Sequence, residues 1–173
     1  MQIRERAIGA VKLMEKIIVL GIGNILMQDD GFGVRVIEEL GRRLRFPDNV
    51  ELLDGGTLGF ELLSFITGAD KLLVVDAING GGLPGTFYRF AGDEVQAYFQ
   101  EKVSLHELGI KDVLAVLEMQ GENIGEIVVL GVQPESIELG LELTPGVAKT
   151  IDKVVAAVIT ELTRWRVGVT KQA

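Results

Sequence analysis

Three runs of aliphatic and β-branched residues set the strongest limit on how this chain can fold: Lys16–Gly23 (KIIVLGIG), Leu72–Val75 (LLVV) and Glu126–Val132 (EIVVLGV). A strand that is apolar at every position, rather than at alternate ones, has to be covered on both faces, as the inner strands of a parallel sheet are. Between these runs the apolar residues recur at helical spacing instead, at Val34, Ile37, Leu40 and Leu44, and again at Val147, Ile151, Val154, Val158 and Leu162. Strand and helix therefore alternate along the chain, the signature of a doubly wound α/β fold.

The remaining elements fit that frame. Val50–Leu53 (VELL) gives a short strand ended by Asp54-Gly55-Gly56, and Leu58–Ile66 a helix. After the glycine-rich turn from Gly80 to Gly85, Thr86–Phe90 alternates like an antiparallel edge strand. Asp93–Gln100 and Glu107–Met119 read as helices, with Ser104, Leu105 and His106 in the junction between them. Thr144-Pro145 supplies a cap and a first-turn proline for the last long helix. Asp29 and Asp30 stand where they can cap the first helix and complement its dipole. We expect one α/β domain over residues 16–165, a twisted, mostly parallel central sheet with helices on both faces. An N-terminal extension, 1–15, precedes it and a C-terminal tail, 166–173, follows.

Composition narrows the function. A net charge of -8 repels phosphate backbones, which argues against nucleic acid as a partner. Cysteine is absent, so disulfides, thiolate metal sites and a cysteine nucleophile are all excluded. That absence suits a reducing cytoplasm. No run approaches the ~18 consecutive apolar residues of a membrane span, and none resembles the apolar core of a signal peptide. The expected location is cytoplasmic, with no membrane partner.

In sheets of this kind ligands sit beyond the C-terminal ends of the strands, which directs attention to Asn24, Asp54 and Asp76. Asp76 closes a wholly apolar strand, where a carboxylate is costly unless it is paired, hydrogen-bonded or metal-bound. His106 is the only histidine, so any imidazole chemistry passes through it. Two carboxylates and one imidazole from separate loops can converge on a divalent ion of the nickel, zinc or manganese type. Each residue also has an ordinary explanation: Asp29, Asp30 and Asp76 as caps or turn formers, His106 as a loop residue. The turn Gly21-Ile22-Gly23-Asn24 invites a dinucleotide reading, but Leu26 stands where the third glycine of that fingerprint belongs. Serine catalysis has little to draw on. Only Ser64, Ser104 and Ser136 are present, and no Gly-x-Ser-x-Gly elbow occurs.

The segments VLGIGNILMQDDGFGVRVIEEL, ELLDGGTLGFELL, LLVVDAING, SLHELGIKDVL and VVLGVQPESIELGLELTP follow one another in order. Together they resemble the hydrogenase maturation endopeptidases, the processing proteases of nickel–iron hydrogenases, over roughly Lys16 to Leu162. The resemblance implies a single α/β domain that cuts a C-terminal extension from the hydrogenase large-subunit precursor once nickel has been inserted. It maps the family's metal-binding positions onto Asp30, Asp76 and His106, with Asp30 and Asp76 also the candidates for catalysis. Asp30 is the shorter of the two acids that the family uses at its position. The nickel would be supplied by the precursor rather than held by the enzyme. Asp54, Gly55 and Gly56 are read as shaping the cleft. A non-catalytic nickel-site chaperone of the same fold and a nucleotide-binding domain are the alternative functions.

Overall fold

A computed structural model describes residues 14–101 and 109–173. Its centre is a five-stranded sheet built from β1 (Ile17–Ile22), β3 (Val50–Gly56), β4 (Lys71–Ala77), β5 (Phe87–Ala91) and β6 (Glu126–Val132) in the order β3-β1-β4-β6-β5. All neighbours are parallel except β5, which runs antiparallel to β6 with Phe87 opposite Val132. The three wholly apolar runs are the three inner strands. The two edges, β3 and β5, carry exposed or half-buried positions.

Side-chain alternation divides the core between the two faces. Val19 of β1, Leu73 and Val75 of β4 and Leu130 of β6 meet α1 (Phe32–Arg43) and α6 (Ile151–Arg164). Ile18 and Leu20 of β1 and Leu72 and Val74 of β4 face the other way, onto α2 (Leu62–Ile66), α3 (Glu94–Glu101) and α4 (Ile110–Met119). The helices that follow β1 and β3 therefore cover opposite faces. The chain leaves β1 in one direction to form β3, then crosses back to lay β4 on the other side of β1. The gap between the C-terminal ends of β1 and β4 is thus the switch point at which such sheets open a crevice.

Several local expectations are corrected. The helix read from Leu58 begins only at Leu62, because Leu58 N–H and Leu62 N–H donate to Gly55 O and Gly59 O in two successive turns. The helix read from Thr144 to Leu162 divides into α5 (Pro145–Ala148) and α6, separated where Thr150 turns its N–H and hydroxyl back onto Val147 O. Leu44 leaves the helical stripe for a two-residue strand, β2 (Leu44–Arg45), which pairs antiparallel with β7 (Thr170–Lys171). The C-terminal tail is thereby docked, and Gln172 adds hydrogen bonds to the carbonyls of Gly41, Arg43 and Leu44. The helix read from Glu107 is seen from Ile110 onward, where Gly109 N–H donates to the Asp112 carboxylate at 3.0 Å. Ser104, Leu105 and His106 lie outside the described residues.

Candidate functional site

Glycines shape the switch point between the C-terminal ends of β1 and β4. A Cβ on Gly33, at the start of α1, would collide with the carbonyls of Val75 and Ile22. A Cβ on Gly21 would strike Gly33 O. The first turn of α1 can therefore lie directly against the ends of β1 and β4. Gly23, with φ +132°, fits beneath the carbonyl of Asp30 in the same way. These glycines admit the chain's own backbone at the place where a dinucleotide fold would admit pyrophosphate. Close packing of α1 on the strands thus accounts for these glycines without a bound dinucleotide.

On one side of the crevice, residues Gln28–Gly31 form a 3-10 turn between β1 and α1 that packs against β4. Neither of its aspartates caps α1; the cap position is Gly31, with no side-chain bond. Asp30 is half-buried and turns its Oδ2 back to accept from Asn24 N–H at 2.9 Å. Asp29 is fully buried and holds a different part of the chain. Its Oδ2 accepts from Glu135 N–H, Ser136 N–H and the Thr144 hydroxyl at 2.9, 3.1 and 2.8 Å, and its Oδ1 from Thr144 N–H at 2.8 Å. The expected dipole-capping role of the pair is thus replaced by two separate tasks. Thr144 does occupy a cap position, at α5, but its hydroxyl serves Asp29 rather than the helix.

On the other side Asp76, the penultimate residue of β4, has no exposure to solvent. Alternation along β4 turns it to the face of Leu72 and Val74, where α3 lies. There the Tyr98 hydroxyl donates to its Oδ2 at 2.8 Å. Burial pushes the Tyr98 phenol well above the usual tyrosine range, so the hydroxyl keeps its proton and remains a donor. Tyr98 was not singled out in the sequence. Its only signal was a phenol on the apolar face of a short helix, where a hydroxyl needs a partner. Gln133, buried just beyond β6, was also missed. It accepts from Gly80 N–H and the Tyr88 hydroxyl and donates to Asn79, fixing the turn that follows β4.

Asp54 lies on the same edge, paired in register with Gly21 on the side of β1 away from β4. With strands ~4.8 Å apart, its backbone stands roughly 10 Å from that of Val75. It is exposed to solvent. Ser64 is occupied within its own turn, donating to Glu61 O, and Ser136 belongs to the Asp29 network. Among the described residues no three His, Cys, Asp or Glu side chains are grouped closely enough to hold a metal ion. His106, the third expected ligand, lies outside those residues. Oxygen donors of the Asp30 and Asp76 type, with no sulfur, suit a hard or borderline divalent ion and can also take a proton from water.

Comparison with known proteins agrees with this architecture. The family described as hydrogenase maturation protease (HycI) matches residues 34–161. The chain is 42% identical over 161 residues to the hydrogenase expression/formation protein HupD of Rhodobacter capsulatus, covering 92% of this chain and 77% of that protein. It is 43% identical over 148 residues to the hydrogenase 2 maturation protease of Escherichia coli, covering 85% and 90%. The solved structure of the hydrogenase maturating endopeptidase HybD from E. coli superposes with a TM-score of 0.86 at 41% identity, over 91% of this chain and 98% of that one.

Proposed function

The chain belongs to the hydrogenase maturation protease family and is a hydrogenase maturation endopeptidase; from that premise we propose that it removes the C-terminal extension of a nickel-loaded large-subunit precursor in the cytoplasm, recognising the nickel that the precursor carries. The observation that carries this reading is the placement of Asp30 and Asp76 on the two sides of the β1–β4 switch point, one half-buried and one fully buried. Asp30, Asp76 and His106 are assigned as the ligands that share the substrate's metal. Three oxygen and nitrogen donors leave coordination positions open for groups the precursor already provides. The shared ion would then position the scissile bond over the carboxylates, supplying proximity and orientation.

In the cut, water adds to the scissile carbonyl and the C–N bond breaks. The new carboxyl group remains on the mature subunit and the departing amine takes a proton. Asp30 and Asp76 are the groups available to accept the proton that water releases.

The test is incubation with nickel-loaded and nickel-free precursor, followed by mass spectrometry of the large subunit's C-terminus. A single truncation confined to the nickel-loaded form is expected. An unchanged C-terminus would leave only a chaperone-like binding role, and equal cutting of both forms would remove nickel recognition. His106→Ala should preserve the fold and abolish the truncation, since no other imidazole can substitute. The purified enzyme should retain little metal after dialysis, because the site is completed by the substrate. Stoichiometric retained zinc or iron would identify a resident-metal hydrolase instead.

A further inference from the structure

The loop between β6 and α5 is anchored far more firmly than a surface connection requires, yet it displays leucines to solvent. Asp29 grips it at both ends, at Glu135 and Ser136 and again at Thr144. Its middle is stitched to the chain after β1: Gln28 N–H donates to Gly140 O and Gly140 N–H to Leu26 O, both at 2.9 Å. Arg35 donates to Leu141 O at 3.1 Å. Leu143 turns inward onto the core, whereas Leu139 is 84% exposed, Leu141 61% and the neighbouring Leu26 52%. A buried carboxylate with four hydrogen bonds thus holds rigid a loop whose tip is apolar and wet. Such a tip adds nothing to the core. A contiguous, preorganised apolar surface is what a protein partner needs.

Two further features specify the partner. The patch adjoins the candidate site directly, because Gln28 and Asp29, which hold the loop, immediately precede Asp30. The leucines are also interleaved with Glu138 and Glu142, both exposed and, among the described residues, without an ion-pair partner. We propose that Leu26, Leu139 and Leu141 form the docking surface for an apolar segment of the hydrogenase precursor that carries flanking Lys or Arg side chains. The proposal rests on the maturation reading above and adds the surface by which the protein substrate is held while its tail enters the crevice. Apolar contact supplies the affinity, and the carboxylates add orientation and salt sensitivity.

The test measures binding of immobilised nickel-loaded precursor alongside its truncation. Leu139→Ser combined with Leu141→Ser should weaken binding at least tenfold and raise KM in proportion, with kcat within about twofold and the melting temperature unchanged. Glu138→Gln combined with Glu142→Gln should weaken binding by about threefold and flatten its salt dependence. Wild-type binding that survives both pairs of substitutions overturns the proposal, as does a wild-type protein that does not bind precursor at all. Sedimentation showing a wild-type dimer that the leucine variant dissociates also overturns it, by identifying a second copy of this chain as the occupant. Binding that depends on the leucines without any truncation of the precursor would uphold the docking surface and sink the peptidase reading.

Discussion

Asp29 and Asp30 are neighbours with the same side chain, and the fold gives them opposite surroundings. Asp29 is buried and its oxygens accept from the backbone N–H groups of Glu135, Ser136 and Thr144 and from the Thr144 hydroxyl. Asp30 stays half-buried. Asp29→Ala should therefore cost about 3 kcal/mol, because three part-buried backbone N–H groups and the Thr144 hydroxyl lose their shared acceptor at once. A thermal or urea melt reads that loss, and precursor binding should weaken with it as the loop loosens. A melt matching the wild type would show that the loop holds itself. Tyr98→Phe tests the other side of the crevice. The ring still fills its place on α3, and the hydrogen bond to the buried Asp76 carboxylate is removed. Stability should fall by about 1–3 kcal/mol. Truncation of precursor should fall about tenfold as Asp76 loses its fixed orientation, while Tyr98→Leu, which loses the ring as well, should be far less stable. Equal stability of the two variants would mean that the ring contributes no packing. Unchanged truncation in Tyr98→Phe would mean that the phenol does not position Asp76.

At the scale of elements, β5 is the strand least secured by its own sequence, being an edge of half-buried residues. It is tied across to α6 by Arg89, whose guanidinium contacts both oxygens of Glu161, at 2.5 and 3.1 Å. The Glu161 carboxylate beside it holds the guanidinium's affinity for its proton above the ordinary value. Glu161 is buried and also receives Arg164, so it is the centre of the tie. Glu161→Gln should cost about 2 kcal/mol, and amide exchange in β5 should rise more than in β4. Uniform exchange across the sheet would show that the pair stabilises the domain as a whole instead. The contrast with the inner strands explains what could be read in advance. KIIVLGIG, LLVV and EIVVLGV declare two-sided burial by composition alone, so the sheet's centre, the fold class and the edge placement of β5 were legible. The break between α5 and α6, the shortened α2 and the pairing of β2 with β7 were not. Each depends on a partner remote in the chain or on a single turn bond that competes with a helix. The same holds at the site. The residue pattern leaves Asp29, Asp30 and Asp76 alike open to ordinary capping or turn roles, and only the family resemblance picks out Asp30 and Asp76 among them. That Asp29 serves residues more than a hundred positions away, and Asp76 a tyrosine on α3, is written only in the packing.

For the whole molecule, the order β3-β1-β4-β6-β5 places every chemically interesting group of the described residues at one end of the sheet. Asp30 and the leucine loop follow C-terminal strand ends, and Asp54 and Asp76 lie among the last residues of β3 and β4. The opposite end carries something different. Trp165, the chain's only tryptophan, is buried where α6 finishes, with the Lys71 ammonium 5.6 Å from its ring at the beginning of β4. One indole, placed in the core and a full strand length from the crevice, makes the protein its own optical gauge of integrity. Its emission should be blue-shifted in the folded state and move to the red in a single step as the domain melts. Adding precursor should leave it unchanged, so that any loss of processing in a variant can be assigned to chemistry or to collapse from the light of one residue.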